Sequence, residues 1–185
     1  MRLILCFALC AAFATPVLAQ SRPAPSQPVV LGTPAAAPAD VDSIESITAA
    51  LYEVISGPVG KARDWNRMRS LFIPGGRLMP VGPRKTGEVA MRLLDVNDYI
   101  AVSGDLLVSS GFTERELSRR VERFGHIAHV FSTYEGAMEK DPKPMRGINS
   151  IQLMNDGTRW WIVAVMWEDE HAGVSLPAQY LPAAN

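Results

Sequence analysis

The C-terminal half of the sequence contains a β-hairpin pattern that constrains the fold more than any other feature. Two runs of apolar, β-branched and aromatic residues, 148–154 and 160–167, flank the turn sequence Asn155-Asp156-Gly157. An Asp-Gly pair between two such runs is a strong hairpin signal, because both residues tolerate the positive φ angles of a tight turn. Alternation along the second run predicts one face with Trp160, Ile162, Ala164 and Met166, and another with Trp161, Val163, Val165 and Trp167. Both faces are apolar, so we expect a strand that is covered on both sides.

The N-terminal half of the sequence predicts helices. Apolar residues at helical spacing mark three segments, 42–57, 64–72 and 95–111. Asp42 with Glu45 has the pattern of a capping box before the first helix, and Asp64 is the expected N-cap of the second. Two short strand candidates, 77–82 and 88–94, lie between the second and third helices.

The first 19 residues have the layout of a cleavable secretory signal. Arg2 precedes an apolar stretch that is too short to span a bilayer, and small-residue spacing leads to a cleavage site after Ala19. A retained N-terminal anchor is the alternative. Residues 20–40, rich in Pro and Ala, predict a disordered linker, residues 41–171 one domain, and residues 172–185 a C-terminal tail. We therefore expect a periplasmic or secreted protein that is free of the membrane after signal cleavage.

Composition limits the partners of this chain. The formal net charge is −1, and nothing in the charge pattern suggests nucleic acid as a partner. Both cysteines, Cys6 and Cys10, lie in the predicted signal, so the mature chain has no disulfide.

The two-sided apolar strand predicts a homodimer that joins two sheets face to face. The alternative is that residues 172–185 fold back over the same face.

The order of these elements resembles the nuclear transport factor 2-like (SnoaL-like) superfamily, of which this chain is identified as an exported bacterial member. The residues that carry the resemblance are Gly147, Asn149, Ile151, Leu153, Asp156, Gly157, Trp160, Ile162 and Val163. The resemblance implies an α+β cone, in which three N-terminal helices pack on a strongly bent, mostly antiparallel sheet. In that fold a long strand follows the third helix, so residues 112–124 are expected to be a strand although they fit a helical stripe locally. The fold hosts isomerases, dehydratases and binding proteins, so it does not define the function.

Two of the three histidines, His126 and His129, lie three residues apart in a run with strand composition. Positions three apart in a strand point to opposite faces, so the two imidazoles are not expected to share a metal ion. No zinc-type spacing occurs, and we predict neither a metal nor a cofactor. His129 has apolar and hydroxyl-bearing neighbours, including Phe131 and Thr133, and is the stronger candidate for a functional group.

The resemblance also bears on chemistry. Relatives that resemble ketosteroid isomerase carry a general-base Asp just before the sequence PVG, where this chain has Met79. A thioether takes up no proton at neutral pH, so we expect a small-molecule-binding protein that holds an apolar or aromatic ligand in the cone. The predicted pocket residues are Trp65, Tyr99, His129, Phe131 and Trp167. The alternative is a cofactor-independent lyase or isomerase that uses His129 with a tyrosine, Tyr52 or Tyr99.

Overall fold

The structure is a computed structural model that describes residues 33–182, and within this range the chain forms an α+β fold. The predicted signal peptide and residues 20–32 of the predicted linker lie outside the described residues. The helices are α1 (Pro38–Val41), α2 (Ile44–Ile55), α3 (Trp65–Leu71) and α4 (Val96–Ser110). The strands are β1 (Phe72–Pro83), β2 (Val89–Met91), β3 (Phe112–Phe124), β4 (Ile127–Met138), β5 (Asp141–Asn155) and β6 (Trp160–Asp169). None of the described helices is long and apolar enough to cross a membrane.

Side-chain caps set the starts of the longer helices. Ser43, rather than Asp42, caps α2, and its Oγ accepts a hydrogen bond from the Ser46 N–H at 3.0 Å. The expected Asp42–Glu45 box does not form, because α1 occupies the preceding residues and Asp42 is its C-cap. The folded part thus extends into the segment predicted as linker, where the Asp40 carboxylate accepts two hydrogen bonds from the Arg67 guanidinium at 2.8 and 2.9 Å.

The strands form one curved sheet in the order β2-β1-β6-β5-β4-β3. Strands β1 and β6 are parallel, and all other neighbours are antiparallel. The hairpin between β5 and β6 turns at Gly157, whose φ of +98° suits glycine. Strand β3 pairs with β4 along its length, which confirms the strand expected at residues 112–124. The helices pack on one face of this sheet, called the inner face here, and the opposite face is the outer face.

A β-bulge in β6 changes the predicted alternation of its side chains. Leu153 pairs with Ile162 and Gln152 pairs with Ala164, so Val163 is an extra residue on this strand. The bulge reverses the alternation after Ile162. The inner face therefore carries Trp160, Ile162, Val165 and Trp167. This set combines members of the two faces predicted from strict alternation.

The C-terminal tail lies over part of the outer face. The Tyr180 carbonyl accepts hydrogen bonds from the Ser118 and Thr133 hydroxyls, the latter at 2.7 Å. The Tyr180 ring packs on Phe131 with the ring centroids 5.0 Å apart. The tail thus folds back over the outer face, which was the alternative to a dimer. Met166 nevertheless remains 40% exposed on that face.

Candidate active site in the cone

The main candidate site is a cavity of about 210 Å³ between the inner face and the helices α2 and α4. Its walls are mostly apolar and aromatic: Leu51, Ile55, Leu78, Tyr99, Leu107, Phe112, Val165 and Trp167. Leu106 and Met145 also line the cavity and are exposed, so the opening lies beside them. A concave, mostly apolar space with a few polar groups is the usual form of a small-molecule site.

The polar groups of the cavity converge from strands β3, β5 and β6. Glu114 comes from β3, Asn149 from β5 and Asp169 from β6. The Asn149 amide donates to the Glu114 carboxylate, with 3.4 Å between Nδ2 and Oε1. Asp169 accepts a hydrogen bond from the hydroxyl of Tyr134, which belongs to β4. One end of an otherwise apolar cavity therefore carries two carboxyl groups.

A chain of hydrogen bonds runs from this polar end into the core. The Asn149 amide donates to the Tyr52 hydroxyl oxygen at 3.1 Å. The Ser132 hydroxyl donates to Glu116 at 2.5 Å. Because the single proton of Ser132 goes to Glu116, Tyr52 must be the donor in its 2.7 Å hydrogen bond to Ser132. The chain orients the Asn149 amide, so that its N–H groups point toward Glu114.

Glu114 has the perturbed acidity expected of a functional carboxyl group. The pKa of Glu114 is raised to about 7, mainly by burial and also by the charge of Asp169, although the hydrogen bond from Asn149 acts to lower it. The side chain still has accessible surface although protein atoms surround it. Glu114 lines the cavity, and that surface faces the cavity. Perturbed carboxyl groups in clefts are typical of functional sites.

The residues predicted for the pocket divide between the two faces of the sheet. Tyr99 and Trp167 line the cavity, with their ring centroids 6.3 Å apart in an edge-to-face arrangement. Trp65 packs beside Gly104 of α4 and does not line the cavity. Tyr52 lies at the inner end of the hydrogen-bonded chain. The two remaining residues, His129 and Phe131, lie on the outer face.

The placement of His129 corrects the expectation that its face lines the cone. The residues of β4 that share a face with His129 were predicted correctly. The inner face of the sheet, however, is the opposite face, which holds Ala128, Val130 and Tyr134. His129 contacts Ser150 on the outer face, with 2.9 Å between Nε2 and Oγ. His126 precedes β4 and is an exposed turn residue. His129 and Tyr52 lie on opposite sides of the sheet, so the predicted histidine–tyrosine pair does not form.

The structure also changes the interpretation of Met79, which stands where the isomerase relatives have their general-base Asp. Leu78 lines the cavity, and Met79 follows it in β1, so strand alternation directs the thioether to the outer face. The absence of an acid at position 79 therefore says nothing about the acids of the cavity, which come from β3 and β6. No group of three or more potential metal ligands (His, Cys, Asp or Glu) occurs within residues 33–182.

Sequence reasoning missed Glu114, Tyr134 and Asp169 as site residues. Glu114 lies in a charge-rich segment that resembles a solvated strand surface, and Asp169 in an acidic run that usually faces solvent. Asn149 was noted only because it belongs to the pattern shared with the superfamily. The sequence signal that could have identified Tyr134 was the alternation in β4, which places Tyr134 on the same face as apolar Val130.

A second recess, of about 370 Å³, lies between the outer face and the tail. Val81, Phe131, Met166 and Leu176 line it, so one side of this recess depends on the position of the tail. We regard the cone cavity as the main candidate because burial raises the pKa of its carboxyl group Glu114, which the Asn149 amide contacts.

Comparisons with known proteins support the fold. A protein from Streptomyces avermitilis, described as a proposed dehydratase of the nuclear transport factor 2-like family, aligns with a TM-score of 0.52 and 15% identity over 71% of this chain and 96% of its own. A protein from Kribbella flavida aligns with a TM-score of 0.52 and 10% identity over 70% of this chain and 90% of its own. A protein of unknown function with a cystatin-like fold, from Nostoc punctiforme, gives a TM-score of 0.51 and 12% identity over 69% and 88%.

These similarities define the class of fold. The chain has the nuclear transport factor 2-like fold, as the sequence resemblance predicted. No protein-family model matches the sequence. No curated protein matches it either. At such low identities the similarity concerns the fold, and function has to be argued from the site.

Proposed function

We propose that this protein binds a small, largely apolar or aromatic molecule in the cone cavity. The observation that carries this proposal is the cavity of about 210 Å³, whose aromatic walls end in a hydrogen-bonded polar group. A dry cavity of about 150 Å³ is sufficient for benzene in another protein, so this space suits a molecule with one or two rings.

The packing of the site supports this proposal over a purely structural role. Tyr99, Leu107 and Phe112 are buried against α2 and the sheet, yet they leave space between them rather than closing it. Protein interiors are normally packed with few voids larger than a water molecule. A cavity that also contains a buried carboxyl group, here Glu114, lowers stability, and such a cost is typical of a site kept for function.

We propose further that the protein works outside the cytoplasm and self-associates. The export proposal rests on the signal pattern of residues 1–19. The self-association proposal, a homodimer through the outer face, rests on the exposed Met166 and Val163 beside the tail. The tail competes for the same face, so the two arrangements give different results when the tail is removed.

Proton transfer by Glu114 is a second candidate function. A carboxyl group with a pKa of about 7 can both accept and donate a proton near neutral pH. Asn149 and the Tyr52 hydroxyl would fix its position. This differs from the predicted lyase or isomerase only in the residue that carries the chemistry, since His129 lies outside the cavity. Turnover of a bound ligand that disappears in Glu114→Gln, with binding retained, would favour this candidate.

The binding proposal is tested by native mass spectrometry of protein purified from its own source, followed by two matched variants. Ser103→Phe places a ring in the cavity from α4, whereas Val102→Phe places the same ring on the exposed side of the same helix. We expect a co-purifying small molecule, or added indole, to bind the wild type and Val102→Phe but not Ser103→Phe. Equal binding to all three proteins would contradict a site in the cone.

A further inference from the structure

We propose that the cone cavity selects a ligand with a protonated amine on an apolar or aromatic body, with the ammonium group placed between Glu114 and Asp169. This inference rests on the proposed binding function and adds the chemical class of the ligand. It follows from the pairing of the charged groups around the cavity.

Three carboxyl groups outside the cavity have arginine partners. On the same sheet, Glu116 pairs with Arg119 at 2.6 Å. Glu135 pairs with Arg115 at 2.8 Å, and Glu170 with Arg146 at 2.8 Å. The sheet thus places an arginine next to each of these three acids.

The two carboxyl groups of the cavity lack such partners. Neither Glu114 nor Asp169 forms a salt bridge with a described residue, and no described Arg, Lys or His lines the cavity. Glu114 accepts one long hydrogen bond, through Oε1, and within residues 33–182 its Oε2 accepts none. A buried carboxyl group is costly unless it is neutralised or paired. Of the two, Glu114 is the more buried, and a cationic ligand would supply its missing partner beside the exposed Asp169.

The walls of the cavity fit the remainder of such a ligand. Tyr99 and Trp167 meet edge to face, at 80° between their planes, and Phe112 lies near Gly136 on the side of Glu114. Aromatic faces attract organic cations, and the same rings bury an apolar body. An anionic ligand is disfavoured, because the cavity already contains negative charge.

The ionisation of Glu114 gives the inference a pH dependence. The described titratable and polar groups that face Glu114 come from five elements: Asp169 from β6, Tyr134 from β4, Asn149 from β5, Tyr99 from α4 and Tyr52 from α2. Asp169 is the other carboxyl group among them, and its charge acts to raise the pKa of Glu114. An ammonium ion binds the deprotonated form of Glu114, so below pH 7 the amine must displace a proton and its affinity falls.

The test compares 2-phenylethylamine with its neutral isostere 2-phenylethanol, by isothermal titration calorimetry of the full mature chain. We expect the amine to bind about tenfold more tightly than the alcohol at pH 8. We expect its affinity to fall about tenfold between pH 8 and pH 5.5, while that of the alcohol stays constant. Glu114→Gln and Asp169→Asn should each remove most of the preference for the amine. The matched control is Glu135→Gln, an outer-face carboxyl that should leave the preference unchanged.

The outcomes separate this inference from the proposed function. Equal affinities for amine and alcohol would overturn the charge selection and leave a binding cavity. An equal loss in Glu135→Gln would show a general charge effect and would also overturn it. If neither compound binds and indole does not bind either, the binding function itself fails. Circular dichroism confirms that each variant is folded before titration.

Discussion

The Tyr134 hydroxyl donates its hydrogen bond to Asp169 across an intervening strand. Tyr134 pairs with Gly147, and Gly147 pairs with Asp169, so the three residues form one row across β4, β5 and β6. Because Gly147 has no side chain, the phenol of Tyr134 can cross β5 and reach the carboxylate. A Cβ at position 147 would overlap the Tyr134 hydroxyl and the Glu168 carbonyl. This row holds one of the two carboxyl groups of the cavity in place.

Gly147→Ala should therefore destabilise the protein and disturb the site. Overpacking of this kind costs about 1–3 kcal/mol, and here the Glu168 backbone cannot move without shifting β6. We expect a lower midpoint in chemical denaturation and weaker ligand binding. The control is Gly82→Ala in β1, where a Cβ would meet no atom within 4 Å. Equal stability of Gly147→Ala and wild type would contradict the cross-strand row.

Glu114→Gln should stabilise the protein at high pH. Folding raises the pKa of Glu114 to about 7 from an unfolded value near 4.5, so the folded state binds more protons than the unfolded state between these values. The free energy of unfolding of the wild type then falls as the pH rises from about 4.5 to 7, by roughly 3 kcal/mol at most. Gln does not titrate, so the gain from the substitution should be larger at pH 8 than at pH 5, as measured by urea denaturation. A gain that is independent of pH would contradict the raised pKa.

Arg63→Met should be strongly destabilising although Arg63 contacts no acid. The buried guanidinium donates to the carbonyl oxygens of Ile55 at 3.0 Å, Gly57 at 2.6 Å and Leu107 at 2.9 Å. These hydrogen bonds join the C-terminal ends of α2 and α4, where a cation also interacts favourably with the helix dipoles. We expect a loss of about 3 kcal/mol in thermal or chemical unfolding, because several carbonyl groups would lose their partner. The exposed Arg92→Met is the control and should change stability by less than about 0.5 kcal/mol.

Removal of the tail tests whether the tail or a second copy of the chain covers the outer face. A chain that ends at residue 171 loses Tyr180, which packs on Phe131, and exposes the recess that Leu176 lines. We expect increased self-association in sedimentation velocity, compared with the full mature chain. If the full chain is already a dimer and the shortened chain is a monomer, the tail itself forms the interface and the sheet-to-sheet dimer is wrong.

The sequence predicted the architecture well because its signals are local. The turn at Asp156-Gly157 and the cap at Asp64 each act within a few residues, and the structure confirms both. The resemblance supplied the one non-local decision, that residues 112–124 form a strand.

The site was harder to predict because it depends on which face of each strand is covered. His129 and Tyr134 lie in one strand, and nothing local shows which of them faces the helices. The bulge at Val163 arises from the pairing of β5 with β6, and it alone brings Trp167 to the inner face. Glu114 has the sequence context of a surface residue and becomes buried only when β3 packs beneath α2 and α4.

The most direct test of the central claim is a chemical-shift titration of the isotope-labelled mature protein with indole. The structure predicts that amide resonances around the cone cavity shift together, at Ser103, Glu114, Gly136 and Asn149, while those of His129 and Phe131 stay unchanged. Shifts confined to His129, Phe131 and Leu176 would place the ligand on the outer face and contradict the account.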